Sequence, residues 1–390
     1  TREPLRVLVA SLALGAAERI VLEWLGAEAA LGRAVELAVL HPRRIASALP
    51  PGIDLHHRAG EPPQAFLAAL AARWRGARAP ASVHLVADEW MQILWDGGVR
   101  TVPVVHNMRE GWRSDPARWR SPQVPAAVAC AAAVRDEMLA CGCAVPVLAL
   151  RHRPALGAAA FDPDARARIR TELGVGPHTL LVAAVGAFKP QKDYCRAIEV
   201  MRQLRRRREA VLLVLGGVLD RAGLGELDRV MAAACAAGLA EHLRLPGFVQ
   251  PIEPYYAASD VLLNVSRFEG LSMAVQEALA AGLPAFATDV GGQREIRHAN
   301  LCLLPAGAKA AKFARQIAAL PVRSALAGAA PARAPRLWSL ATAWQCAGER
   351  RIETLFITAN LNAGGAQRSL LNLVTRIAPR HPLAVAVCGE

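Results

Sequence analysis

Short apolar runs alternate with longer mixed stretches along most of the chain. Up to about residue 150 the runs are "RVLVAS", "VELAVL", "SVHLVAD", "TVPVV", "AVAC" and "VPVLAL". Each has the length of a buried strand, and the segments between them have room for a helix. This predicts a doubly wound α/β domain over residues 1–155. The pattern breaks at "RHRPALGAAAFDPDARAR" (Arg151 to Arg168), which is rich in Pro and Arg and reads as a linker. It resumes with "TLLVAAVG", "AVLLVLGG", "HLRLPGF", "DVLLNVS" and "PAFATDV", predicting a second α/β domain over 156–335. "RLWSLATAWQCAGER" then predicts a helix over 336–351, and a tail follows over 352–390. Two such domains facing each other leave a cleft, and open α/β sheets bind ligands at the carboxyl ends of their strands.

One segment carries candidate chemistry. "DVLLNVS" (Asp260 to Ser266) predicts a buried strand, and "LSMAVQEALAA" a helix stopped by Gly282 with Pro284 just beyond. "AFATD" predicts the next strand. Glu269, Gly270 and Leu271 therefore fall in the loop at a helix N-terminus. The free N–H groups of Gly270, Leu271 and Ser272 would attract an anion such as a diphosphate, and Gly270 permits close backbone approach. Glu277, further into the helix, could accept hydrogen bonds from a ribose diol. The same spacing also suits Glu277 pairing with an arginine while Glu269 is solvated.

Composition narrows the class. The chain has 390 residues, 53% hydrophobic and 20% charged, which is globular and enough for two domains. The formal net charge of +13 admits two readings: attraction to anionic partners, or an arginine-rich composition with no binding role. The eight cysteines show no CxxC or Cys/His zinc spacing, and a reducing cytosol fits them best. "LRVLVASLALGAAER" has the composition of a signal peptide, yet a similar segment recurs at 354–368, so a strand-loop-helix unit explains both. No uninterrupted apolar run approaches the ~18 residues of a membrane span. No G-x-G-x-x-G follows the first strand, and there is no Walker loop or H-E-x-x-H helix, which argues against an oxidoreductase, a P-loop enzyme and a zinc protease.

"SRFEGLSMAVQEALAAGLPAFATDVGGQREI" resembles the E-x7-E signature of the family 4 retaining glycosyltransferases. "VGAFKPQKDYCRAIEVM" is similar to that family's glycine-arginine-leucine…lysine segment, and "PGFVQPIEPYYAASDVLLNVS" to the stretch before E-x7-E. The resemblance covers roughly residues 5–350 and is strongest over 180–297. It implies the GT-B fold: two Rossmann-like doubly wound domains facing across a cleft, an acceptor side in the first, a sugar-nucleotide side in the second, and a crossing helix at 336–351. It also implies transfer of a hexose from a nucleotide-diphosphate sugar to a glycan or lipid-linked acceptor, in polysaccharide or lipopolysaccharide biosynthesis.

Carried over residue by residue, the resemblance puts Glu277 on the ribose hydroxyls and Glu269 against the donor sugar. Gly186, Lys192 and the N–H groups of Gly270 and Leu271 fall at the diphosphate. Helix dipole, N–H groups and lysine would then neutralise the leaving group without a metal. His106, which ends "TVPVV", matches the active-site histidine of the N-terminal domain, and Gly15 the glycine loop that approaches donor phosphate and acceptor. An ordinary loop histidine and an ordinary strand-to-helix turn are the competing readings. No cofactor, metal or nucleic-acid partner is implied. The expected location is cytoplasmic, with peripheral contact on the inner face of the membrane. The D-x-D pattern at Asp162 to Asp164 falls in the expected linker and is set aside.

Three departures weaken the match. Ala187 stands where the family has an arginine at the diphosphate, Ala16 where it has a second glycine, and "RHRP" where an asparagine-glycine turn is common. They leave a second reading open, a degenerate copy that supports a catalytic partner domain. The tail, "ETLFITANLNAGGAQRSLLNLVTRIAPRHPLAVAVC", repeats the order of the N-terminus and aligns Gly15 with Gly364 and Arg19 with Arg368. The expectation is a β-α-β unit that begins a second, tandem glycosyltransferase copy.

Overall fold

The computed structural model describes residues 3–12, 15–41, 49–152 and 162–322, with the strands at 354–358 and 383–387. The first sheet has seven strands: β1 (Leu5–Val9), β2 (Val35–Val39), β3 (Ile53–His57), β4 (Ala81–His84), β5 (Thr101–Val105), β6 (Ala127–Ala129) and β7 (Val147–Ala149). Their order is β3-β2-β1-β4-β5-β6-β7, with every pairing parallel. An all-parallel sheet needs cover on both faces, which is why its strands read as continuous apolar runs. In β1, Leu8 faces one core, shared with Phe66, Leu67, Leu70 and Trp74 of α2 (Pro63–Trp74). Val7 and Val9 face another, shared with Val21, Trp24 and Leu25 of α1 (Ala16–Ala30). Helices α3 (Asp88–Asp96) and α4 (Ala132–Ala140) add to the first core.

The second sheet has six strands: β8 (Leu180–Val185), β9 (Ala210–Leu215), β10 (Leu243–Gly247), β11 (Val261–Asn264), β12 (Ala285–Asp289) and β13 (Leu301–Pro305). It is again parallel throughout, in the order β10-β9-β8-β11-β12-β13. Its helices are α5 (Pro163–Glu172), α6 (Tyr194–Arg205), α7 (Arg221–Ala236), α8 (Glu253–Ala258), α9 (Met273–Ala280) and α10 (Ala310–Ala318). Helix α5 begins inside the stretch expected to be a linker. Asp162 caps it, accepting from the N–H groups of Asp164 (3.0 Å) and Ala165 (2.9 Å), so this half of the D-x-D pattern serves as a helix cap.

In each sheet the chain reverses its direction of growth beside its first strand, between β1 and β4 and between β8 and β11. These switch points open crevices at the carboxyl ends of the strands. In the tail, β14 (Thr354–Thr358) and β15 (Leu383–Val387) pair in parallel as a sheet of their own. The helix expected at 336–351 and the glycine pair at 364–365 lie outside the described residues. Among the described residues no helix is long and apolar enough to cross a membrane.

Candidate active site

The loops after the switch-point strands face one another across a cleft of about 2200 Å³. Gly15, His106, Gly186, Lys192, Glu269, Leu271 and Glu277 all line it. Two residues beside these positions hold left-handed backbone, Leu85 (φ 59°) after His84 and Asp193 (φ 49°) after Lys192. Such conformations cost about 1–3 kcal/mol each and concentrate where a chain must present a side chain in a fixed direction.

Lys192 closes the short 3-10 turn after β8, and its ammonium donates to Glu269 Oε1 at 2.7 Å. That carboxylate is held from behind: Ser266 Oγ donates to it at 2.6 Å, with Asn264 Nδ2 and Gln191 Nε2 each at 3.4 Å. Glu269 is thus buried and fixed, not solvated. Gly186 has φ 142°, a conformation that residues with a side chain rarely adopt, and a Cβ there would lie 2.6 Å from Cε of the Lys192 stem. Ser272 caps α9, and the N–H groups of Gly270 and Leu271 just ahead of it donate to no group among the described residues. These two donors, the α9 N-terminus and Lys192 are groups suited to cradle an anion, with Leu271 and Lys192 lining the cleft and Gly270 packed just behind its wall.

Glu277, 2% exposed, accepts from Tyr256 Oη at 3.0 Å and forms an ion pair with Arg19 of α1. In the ligand-free protein Glu277 therefore has the arginine partner that its sequence spacing also allowed, and the partner comes from the opposite domain. Further along the cleft Glu18 folds its carboxylate back over the Gly15 turn. Burial raises the Glu18 pKa, against the pull of Lys189 and Arg113. Burial lowers the Lys189 pKa, against the pull of Glu18 and with Lys192 and Arg113 adding to the shift, although the residue as a whole is exposed. Ala187 lines the same wall, so Lys189 brings a cation two residues from where the resemblance expects one.

His106 follows β5. Its Nε2 lies 2.9 Å from His84 Nδ1, and its ring stacks on His152 with centroids 5.1 Å apart. Burial holds all three rings neutral, lowering His84 to about 3, His152 to about 4 and His106 well below its ordinary value. Among the described residues no group of three His, Cys, Asp or Glu side chains is arranged to hold a metal ion.

Gly270, expected at the diphosphate through its N–H, packs against the seam between the domains. A Cβ there would strike the His106 carbonyl and lie 2.7 Å from Cys130 Sγ. Leu271 buries its side chain in the N-terminal core, and Glu295 caps α4 across the seam, accepting from Ala132 N (3.0 Å) and Ala133 N (2.9 Å). The His106 carbonyl belongs to backbone and cannot swing aside. Gly270→Ala is therefore expected to part the domains here, seen as a larger radius of gyration and faster exchange of the Ala132 and Ala133 amides. Unchanged scattering and exchange would show that the seam tolerates the methyl.

Arg19, Tyr256, His84, Lys189 and Glu295 were not among the residues expected at the site. Arg19, Tyr256, His84 and Glu295 gain their places through contacts between distant parts of the sequence, whereas Lys189 sits in the same loop as Lys192.

Residues 179–321 match the family model for glycosyl transferases group 1. The D-inositol 3-phosphate glycosyltransferase of Nocardia farcinica is 31% identical over 169 residues, covering 41% of this chain and 37% of that protein. That of Actinosynnema mirum is 30% identical over 208 residues, covering 50% and 49%. The chain spans less than half the length of either relative. Among solved structures, Anabaena HepE in complex with UDP-glucose superposes with a TM-score of 0.64 at 15% identity, over 80% of this chain and 88% of that one. WaaG, a glycosyltransferase involved in lipopolysaccharide biosynthesis, gives 0.62 at 14% identity, over 80% and 90%. The fold is GT-B. In GT-B terms the cleft just described lies between the two Rossmann-like domains, with the anion cradle on the second and the histidine cluster on the first.

Proposed function

We propose that the chain is a metal-independent, retaining glycosyltransferase of family 4. It transfers a hexose from a nucleotide-diphosphate donor to a glycan or lipid-linked acceptor. The observation that carries this reading is the group formed by Lys192, the Gly270 and Leu271 N–H groups and the α9 N-terminus, with Glu269 bonded to Lys192 and Glu277 lining the same cleft. The ribose belongs on Glu277, the diphosphate in the cradle, and the sugar between Glu269 and His106. As the bond from the anomeric carbon to the diphosphate breaks, the cradle meets the charge that develops on the leaving oxygen. The acceptor oxygen then bonds to the anomeric carbon on the same face of the sugar, and its proton passes to the departing diphosphate oxygen.

The UDP-glucose bound to HepE supports a sugar nucleotide as donor. The degenerate-copy reading is favoured less, because Lys189 offers a cation near the alanine that motivated it. Peripheral contact with the cytoplasmic face of a membrane draws support from the net charge of +13. The tandem second copy draws support from the parallel pairing of β14 and β15.

A thermal-shift panel of nucleoside diphosphates and sugar nucleotides tests the donor assignment, since a ligand that binds the native state raises its melting temperature. At least one sugar nucleotide is expected to stabilise the protein. Glu277→Ala should weaken that ligand by roughly 10- to 150-fold, the loss of charge-assisted hydrogen bonds. Ribose and Arg19 compete for the same carboxylate, so Arg19→Ala should bind at least as well as the parent. No response to any sugar nucleotide, or an unchanged affinity in Glu277→Ala, would refute the assignment.

A further inference from the structure

Behind His106 runs a chain of side chains that the donor-site reading does not use. Ser82 and His84 both lie on β4, two residues apart, so they share one face of the strand. Both are buried, each 4% exposed. Ser82 Oγ is 2.9 Å from His84 Nε2, and His84 Nδ1 is 2.9 Å from His106 Nε2. The indole of Trp24 lies 6.1 Å from the His84 ring, and His152 stacks on the far ring of the chain. At its end, His106 Nδ1 is buried and has no partner among the described residues, in a side chain that lines the cleft.

Direction along this chain follows from Ser82. Its hydroxyl carries one hydrogen, and a buried hydroxyl needs an acceptor. The acceptor in contact is His84 Nε2. With Nε2 accepting, the His84 proton sits on Nδ1 and is donated to His106 Nε2. With that nitrogen accepting in turn, the His106 proton sits on Nδ1, the unpartnered atom. Either direction leaves one donor without an acceptor among the described residues, and the two differ in place: the Ser82 hydroxyl lies under β4, whereas His106 Nδ1–H belongs to a side chain that lines the cleft and can meet an acceptor there.

We infer that Ser82 and His84 are positioning residues that lock His106 in its Nδ1–H tautomer, so that it meets the substrate as a hydrogen-bond donor and not as a base. The inference rests on the proposed placement of the sugar beside His106 only for its consequence in turnover. The lock itself is a property of the ligand-free protein. Burial, which disfavours the charged imidazolium at each ring, keeps the chain neutral and its direction defined.

The test is long-range proton–nitrogen correlation on the histidine-labelled, ligand-free full chain, with His106 assigned by His106→Gln. The expected spectrum has His106 as the Nδ1–H tautomer. Ser82→Ala, a small change in a strand, removes the first donor and should let the Nε2–H form appear. Ser82→Thr keeps the hydroxyl and should restore the parent spectrum. With the donor identified by the nucleotide panel, Ser82→Ala should lower kcat about tenfold, the scale of one lost hydrogen bond. The donor KM should change less than about twofold, because the nucleotide contacts lie elsewhere. A parent spectrum with His106 as Nε2–H overturns the inference, as does a Ser82→Ala spectrum identical to the parent's. Neither result bears on sugar-nucleotide binding, which the panel reads separately.

Discussion

Lys192→Ala is expected to lower turnover about 100- to 1,000-fold, the cost of removing one preorganised charge-stabilising group from an active site. The structure gives reasons for the upper part of that range. Where the resemblance expects two cations at the diphosphate, this chain has Ala187, so Lys192 stands without that second cation at position 187. The remaining cation on that wall, Lys189, is exposed and has Glu18 as a competing counter-charge. Glu269 adds to the loss. Ser266, Asn264 and Gln191 hold its carboxylate from other sides, so without Lys192 its charge stands uncompensated beside the proposed anion site. Donor release and transfer should be followed at saturating donor, with nucleotide affinity measured alongside. Lys192→Arg preserves the charge but is wider than the slot left by Gly186, and should recover only part of the rate. Turnover within threefold of the parent in Lys192→Ala would remove the cradle from the mechanism.

Much of the architecture is written in local pattern, because parallel strands buried on both faces must be continuously apolar. β1, β2, β4 and β5 in the first sheet, and β8, β9, β11 and β12 in the second, all coincide with apolar runs. The two strands that the pattern misses, β3 and β13, are edge strands. β3 reads "IDLHH" and no residue in it is fully buried, so neither hydropathy nor alternation marks it. The candidate residues that line the cleft were legible where they sit on the loop that follows a readable strand, as Gly186 and Lys192 follow β8 and Glu269 follows β11. His84 had the same signal, at the end of "SVH", but a histidine in an apolar strand has no spacing that reveals the Ser82 and His106 contacts on either side. The ion pair of Arg19 with Glu277 is invisible for a different reason. It depends on how two domains face each other, and no local pattern encodes that. Helix α5 was read as linker because its inner face is only partly apolar. Arg166 and Arg170 share the buried positions with Ala165 and Ile169, so its sequence "PDARARIRTE" looks like a charged surface segment.

Asp260→Ala should be among the most destabilising substitutions in the chain, because that carboxylate is what makes the polar face of α5 possible. Asp260 is 1% exposed at the start of β11. Its Oδ1 accepts from Arg166 Nη2 at 2.6 Å, and its Oδ2 accepts from Arg170 Nη1 at 3.2 Å and from Leu181 N at 2.7 Å. The arginines do more than neutralise it. Arg166 Nη1 donates to the carbonyls of Ala257 (3.2 Å), Ala258 (2.6 Å) and Ser259 (3.3 Å), and so caps the C-terminus of α8. Arg170 ties the same region to the Gly176 carbonyl at 2.6 Å. Removing the carboxylate leaves two buried guanidinium groups without a counter-charge, which costs about 3–5 kcal/mol. For a domain of this size that is a fall of roughly 6–20 °C in melting temperature. Exchanging all three charges for apolar groups (Asp260→Ala with Arg166→Met and Arg170→Met) removes the unpaired charge and should recover part of the loss. Recovery should stay incomplete, because the α8 and Gly176 carbonyls lose their donors. Asp260→Ala melting within about 2 °C of the parent would show that the two arginines reach water by another route. A triple variant less stable than Asp260→Ala would show that the carbonyl caps, and not the buried charges, dominate the energetics of α5.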